Sequence, residues 1–158
     1  MAGQITQKDL AGLFLSTKGR ISRKTFWLGV GALVVWSIVV FVVLWSLLGP
    51  SLVQNFLGRL VGFPFTLLTI YFAYNLAAKR FNDRARPIIN AQAAAGVMAV
   101  KALLDLVRIT GDVRATNILD TLFLLAGTGI ALWFFIELGL MRGTVGPNEH
   151  GEDPETSQ

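Results

Sequence analysis

The chain alternates long apolar runs with short polar stretches, and this pattern predicts four membrane-spanning helices. The first run, residues 26–48, contains no charged residue, and as a helix it would be about 34 Å long, enough to cross the hydrocarbon core. Three later runs predict spans over residues 57–78, 88–109 and 118–141. The predicted fold class is therefore all-α: an integral membrane four-helix bundle over residues 26–141, between an N-terminal segment (1–25) and a polar tail (142–158).

The third predicted span is the most polar. A charge at the bilayer centre costs roughly 2.5–3.5 kcal/mol, and this span contains Lys101 and Asp105. At 100° per residue, Asn90, Lys101, Asp105 and Arg108 fall within about 60° of arc, so a packed bundle can hide them. Ionisable groups in the spans form a candidate intramembrane polar network: Arg59, Lys101, Asp105, Arg108, Asp120 and Glu137.

Two interpretations of this network stay open. It neutralises itself by pairing, as Lys101 and Asp105 can do at i,i+4 spacing, or it lines a pathway for a proton, ion or small solute. Asp120 shares a helix face with the small residues Gly127 and Ala131, which favours close packing against the third span. Glu137 lies toward the other end of its span, where it can meet Asn75 or the basic loop.

Lysine and arginine predict the orientation, because cytoplasmic loops carry an excess of both. On one side of the bundle, the N-terminal segment and the loop after the second span carry nine of them: Lys8, Lys18, Arg20, Arg23, Lys24, Lys79, Arg80, Arg84 and Arg86. The other side carries Arg59, Arg108 and Arg114. Both termini are therefore predicted to be cytoplasmic (N-in, C-in), and no cleavable signal peptide is recognised. Residues 6–16 form either a short interfacial helix or a flexible terminus.

Composition narrows the function classes further. The chain is 53% hydrophobic and 15% charged, with no cysteine and a single histidine, His150, in the polar tail. This argues against disulfides, thiolate metal sites and histidine-based catalysis, and phosphate-loop and dinucleotide motifs are absent. We expect no enzyme and no cofactor. Although the net charge is +4, the positive residues flank apolar runs and form no basic face, so no nucleic-acid partner is predicted.

The loop KRFNDRARP, residues 79–87, is interpreted as a cytoplasmic turn. In this interpretation Asn82 and Asp83 cap or reverse the chain, and Pro87 starts the third span where its missing N–H is harmless. A further hypothesis adds binding of anionic lipid headgroups. The candidate contacts with lipid or a partner are Arg20, Arg23, Lys24, Lys79, Arg80, Asp83, Arg84 and Arg86.

Three short patterns in order resemble one family: GRISRKTFW (19–27), KRFNDRARP (79–87) and GPNEHGEDP (146–154). The chain resembles the "domain of unknown function 805" family of small bacterial inner-membrane proteins. That family's loop resembles R-R-L-H-D-x-G-R-S; Arg80, Asp83 and Arg86 match it, whereas Asn82 stands in place of the histidine. The resemblance implies a multi-pass protein of the bacterial inner membrane and no particular activity.

The function expected from the sequence is that of a structural or interaction component of the membrane. Its basic cytoplasmic face would contact anionic lipid or a partner, and the partner would be a second copy of the chain or another membrane protein. The alternative is a transporter or channel subunit that uses the charged stripe of the third span. A water-accessible cavity lined by Lys101 and Asp105 would distinguish the alternative from the first hypothesis.

Overall fold

A computed structural model describes residues 12–112 and 116–154 of the chain. The regular secondary structure of these residues is helical, and among them the only β-type pairing is an isolated bridge between Asn148 and Gly151. The helices are α1 (Arg23–Leu48), α2 (Ser51–Gln54), α3 (Phe56–Asp83), α4 (Ile89–Leu106) and α5 (Ile118–Phe134), with a π-helix (Phe135–Leu140) continuing α5. Residues 12–15 form a short helical turn that ends before Ser16; residues 6–11 of the predicted interfacial helix lie outside the described residues.

Helix α1 begins and ends at recognisable capping residues. Ser22 is the N-cap, and its hydroxyl accepts a hydrogen bond from the Thr25 backbone N–H at 3.2 Å. The helix ends at Gly49, where φ is +56°, a conformation that glycine adopts without strain. The Gly49 N–H donates to the Trp45 carbonyl at 2.7 Å and so satisfies one of the last free carbonyls.

Helix α3 is longer than predicted, and this corrects the interpretation of the 79–87 loop. The helix continues to Asp83, so Asn82 and Asp83 are helical and do not reverse the chain. The reversal follows at Arg84 and Ala85, where Ala85 has a φ of +51°. The helix persists because its last turns are buried and their polar side chains find partners on other segments. Pro64 lies within α3.

Helix α4 is shorter than the predicted span, whereas α5 begins at a strong cap. Helix α4 ends at Leu106, and Arg108 follows in a turn with a φ of +64°. Asn117 and Asp120 form a capping box at the start of α5, in which each side chain accepts a hydrogen bond from the other residue's backbone N–H.

The four long helices are long and apolar enough to cross a membrane, as predicted, and most of their surface faces outward. Helix α3 packs against α1 and α4, while α5 packs against α1 chiefly through the π-helix. The hydrophobic core therefore concentrates at one end, around Leu76, Phe81 and Leu138. We call this the basic end: there the residues before α1, the end of α3, the α3–α4 turn and the tail meet.

Candidate functional site

A buried ion-pair cluster lies at the centre of the basic end, around the Asp83 carboxylate. Its Oδ1 lies 3.0 Å from the Arg20 guanidinium, and its Oδ2 pairs with Arg80 one turn earlier in α3. The three side chains are 1%, 3% and 0% exposed for Arg20, Asp83 and Arg80. Two cations thus share one anion in a site without solvent, which is stable only if their remaining donors find other acceptors.

Arg80 finds those acceptors at the end of the π-helix. Its Nε donates to the Leu138 carbonyl at 2.8 Å and its Nη2 to the Met141 carbonyl at 2.5 Å. The last carbonyls of a helix have no partner within the helix, and they carry partial negative charge. The Trp27 indole N–H satisfies a neighbouring carbonyl, that of Gly139, at 3.2 Å. The end of the fourth span is therefore capped by side chains from α1 and α3.

Arg20 joins the same cluster to the C-terminal tail. Its Nη2 donates to the Thr144 carbonyl and its Nη1 to the Gly146 carbonyl, both at 2.7 Å. The Thr144 backbone N–H donates in turn to the Asp83 carbonyl at 2.8 Å. A Cβ atom on Gly143 would overlap the Asp83 carboxylate, so only glycine allows the tail to pass this close.

Asparagines complete the attachment of the tail and of the segment before α1. The Asn82 amide donates to the carbonyls of Thr17 at 2.9 Å and Gly19 at 3.1 Å. The Asn148 amide donates to the Asn82 carbonyl at 3.1 Å. Asp153 is buried and accepts a hydrogen bond from the Gly146 N–H at 2.9 Å, which closes the tail on itself.

The N-terminal turn is held by two further buried side chains of α3. The Lys79 ammonium donates to the carbonyls of Gly12 and Leu13, and the Asn75 amide donates to the Phe14 carbonyl at 2.8 Å. These bonds satisfy carbonyls at the end of the short helical turn. Residues 12–15 are therefore fixed on α3 by its polar side chains.

The rim of the basic end carries the accessible charges. Glu137 pairs with Arg84 at 3.0 Å and with Arg86 at 3.5 Å, so it meets the basic loop and not Asn75. The Arg86 side chain is 58% exposed, and Lys24 is exposed as well. Arg23 lies at the same end, with its guanidinium 3.5 Å from the Leu140 carbonyl.

The structure therefore divides the eight predicted lipid or partner contacts. Four of them have buried side chains that are bonded within the chain, which removes these side chains from any outer surface: Arg20, Lys79, Arg80 and Asp83. Arg23 and Arg84 are partly buried, and Lys24 and Arg86 are exposed. Sequence reasoning missed Thr144 and Asn148. Asn148 lies in the third motif, so the polar residues of the three motifs are a signal that could have identified it, whereas Thr144 lies outside the motifs.

The intramembrane charges at the opposite end are paired, as one of the two interpretations predicted. Lys101 lies 2.5 Å from the Asp105 carboxylate and 3.7 Å from that of Asp120. The Arg59 guanidinium donates to the carbonyls of Asp105 at 2.6 Å and Gly111 at 3.1 Å, beyond the end of α4. Arg108 is exposed in the turn and lies outside the helical stripe. Arg114 lies outside the described residues.

A cavity of about 510 Å³ lies beside these charges, between α1, α3 and α4. Arg59 and Asp105 line it, but Lys101 does not. Ser37, Thr66 and Thr69 also line it, and the hydroxyl of each donates to a carbonyl of its own helix. Among residues 12–112 and 116–154, no group of three or more acidic or histidine side chains is placed to hold a metal ion.

The fold defines the class of this protein: an all-helical chain with four apolar helices is a multi-pass membrane protein. The chain belongs to the family described as protein of unknown function (DUF805), which matches residues 14–152. This confirms the resemblance drawn from the three motifs. No curated protein and no solved structure matches the chain.

Proposed function

We propose that this protein is a non-catalytic structural or interaction component of the bacterial inner membrane, with its basic end on the cytoplasmic side. The lysine and arginine excess at that end supports the orientation. The observation that carries the proposal is the buried cluster itself. Asp83 forms ion pairs with Arg20 and Arg80, and both arginines also donate hydrogen bonds to backbone carbonyls. Such contacts suit a structural role, because they join the segment before α1, the end of α3 and the tail.

The cluster makes the basic end a preformed surface. Segments that lie 63 and 124 residues apart along the chain are joined by hydrogen bonds of Arg20 to Asp83 and Thr144. A surface whose backbone is already ordered loses less conformational entropy when it binds a ligand. Lys24 and Arg86 are exposed at its rim and, in the proposed orientation, face the headgroup region.

Anionic lipid headgroups are the ligands that this rim fits best. A lysine or arginine near an anionic membrane surface contributes about 1 kcal/mol to the attraction. Removal of the charges of Lys24 and Arg86 together should therefore cost at most about 2 kcal/mol, or roughly 30-fold in affinity. A second copy of the chain or another membrane protein is the alternative partner for the exposed apolar faces.

The test compares phosphatidylglycerol with phosphatidylcholine of the same acyl chains, bound to the purified protein and counted by native mass spectrometry. The wild type should prefer phosphatidylglycerol, and the Lys24→Gln, Arg86→Gln double variant should lose most of that preference. Arg108→Gln is the matched control, because Arg108 is exposed at the opposite end. Equal binding of the two lipids by the wild type, or an equal loss in the control, would reject headgroup recognition by this rim.

A polar pathway is the second candidate, and the 510 Å³ cavity beside Arg59 and Asp105 is the observation in its favour. The pairing of Lys101 with two carboxylates weighs against it, because paired charges are less available to a moving ion. Proton and ion flux into liposomes that contain the purified protein tests it. Flux above that of protein-free liposomes and reduced by Asp105→Asn would favour a pathway over the structural role.

A further inference from the structure

A second cavity, of about 460 Å³, lies in the half of the bundle nearer the basic end. All four long helices contribute to its wall, which is almost entirely apolar; Phe26, Leu76, Ala94 and Phe134 are among its lining residues. Three lining residues carry side-chain donors: Trp27, whose indole N–H donates to Gly139, Thr69, whose hydroxyl donates to Phe65, and Tyr74. The cavity therefore offers a ligand hydrophobic contact and little hydrogen bonding.

The cavity is closed at the basic end and opens sideways between α1 and α5. At the closed end the Trp27 ring contacts Phe135 edge-on, with centroids 5.6 Å apart, and packs against Gly139 without room for a Cβ atom. Farther from the basic end, α1 and α5 have no comparable packing, because α1 meets the fourth span chiefly through the π-helix. Ala131 of α5 lines the cavity and is exposed. In a membrane this opening faces the acyl chains of surrounding lipids.

The size and chemistry of the cavity distinguish between its potential occupants. Water is a poor occupant, because a buried water needs two to four polar partners. A helix of a second copy is too large, because one helical turn with side chains, roughly 10 Å wide and 5.4 Å long, already occupies about 420 Å³ and would fill nearly the whole cavity. A single flexible hydrocarbon chain fits, since an apolar cavity of about 150 Å³, one third of this volume, is already known to bind benzene.

We propose that this cavity binds one acyl chain of a membrane lipid, which enters between α1 and α5 and lies against Trp27. The basic rim places an anionic headgroup at the same end of the bundle, but the proposal rests on the apolar wall. It therefore applies to an uncharged lipid as well, and an experiment that rejects headgroup recognition would not reject acyl-chain binding.

Trp27 provides the reporter. The full chain with Trp36→Phe, Trp45→Phe and Trp133→Phe retains Trp27 as its only tryptophan. Phosphatidylcholine brominated on its acyl chains, which quenches indole fluorescence on contact, is titrated into this protein in mild detergent. We expect quenching of Trp27 that saturates when each protein holds one lipid. A second reporter that retains only Trp45, which lies at the far end of α1, should be quenched in proportion to total lipid without saturation.

Two variants fill the cavity from different helices: Ala94→Phe from α4 and Ala131→Phe from α5. Each should remove the saturable quenching, while Ala93→Phe, an equal enlargement at an exposed neighbouring position that does not line the cavity, should leave it intact. Circular dichroism and monodisperse elution identify the variants that fold, and two filling variants guard against the loss of one. Quenching of Trp27 that never saturates, or that persists in a folded filling variant, would overturn the proposal.

Discussion

Substitution of Asp83 by asparagine tests the buried cluster most severely, because it removes one charge and leaves almost every other atom in place. The carboxylate lies between Arg20 and Arg80, and all three side chains are at most 3% exposed. After the substitution, the two buried guanidinium groups would lose the carboxylate that they share. The amide oxygen could still accept from one arginine, but the amide N–H groups would point at the donors of the other.

Loss of one partner from a buried ion pair typically costs about 3–5 kcal/mol. The lower end of that range applies here, because each arginine keeps carbonyl acceptors: Thr144 and Gly146 for Arg20, and Leu138 for Arg80. We therefore expect Asp83→Asn to reduce the free energy of unfolding by about 3 kcal/mol, or more than 100-fold in the unfolding equilibrium.

The assay is reversible unfolding of the purified protein in mixed micelles of mild detergent and dodecyl sulfate, followed by circular dichroism. Glu152→Gln is the matched control, since it makes the same carboxylate-to-amide change at an exposed position of the tail. It should shift the free energy of unfolding by less than about 0.5 kcal/mol. A double-mutant cycle with Arg20→Gln should give a coupling energy of at least about 1 kcal/mol. The reasoning is refuted if Asp83→Asn behaves like its control, or if the two substitutions are additive.

Two further predictions concern the tail and the topology. Gly143→Ala should lower the free energy of unfolding by about 1–3 kcal/mol in the same assay, because the added methyl group would overlap Asp83. Gly31→Ala is the control and should not lower it, because there is open space around Gly31 in α1. Since the chain has no cysteine, single introduced cysteines report the orientation. A membrane-impermeant maleimide should label Thr116→Cys on intact spheroplasts, whereas it should label Glu149→Cys only after permeabilisation. The reverse labelling pattern would contradict the N-in, C-in topology.

The spans could be predicted because their signal is local. An uncharged run such as residues 26–48 must be helical in a bilayer, where backbone groups find no water. The pairing of Lys101 with Asp105 is local too, since residues at i,i+4 are neighbours on a helix.

The buried cluster could not be predicted in the same way, because its contacts join distant segments. Arg20 and Asp83 are 63 residues apart, and no periodicity of either segment indicates that they meet. Charges beside an apolar run ordinarily lie in the headgroup region, so the sequence predicted a cytoplasmic turn over residues 79–87. Arg20 also donates to the backbone carbonyls of Thr144 and Gly146 in the tail. Every residue has a backbone carbonyl, so the pattern of side chains does not indicate which carbonyls will accept these bonds.

The central claim is that the buried cluster holds the tail on the basic end of the bundle, and amide hydrogen exchange of residues 143–154 measures this directly. The wild type should show protected amides there, because the Thr144 N–H is bonded to Asp83 and the Gly146 N–H to Asp153. Arg20→Gln should raise exchange across this segment at least tenfold, whereas Lys24→Gln, at an exposed position nearby, should not. Rapid exchange in the wild type, or unchanged protection in Arg20→Gln, would contradict the account.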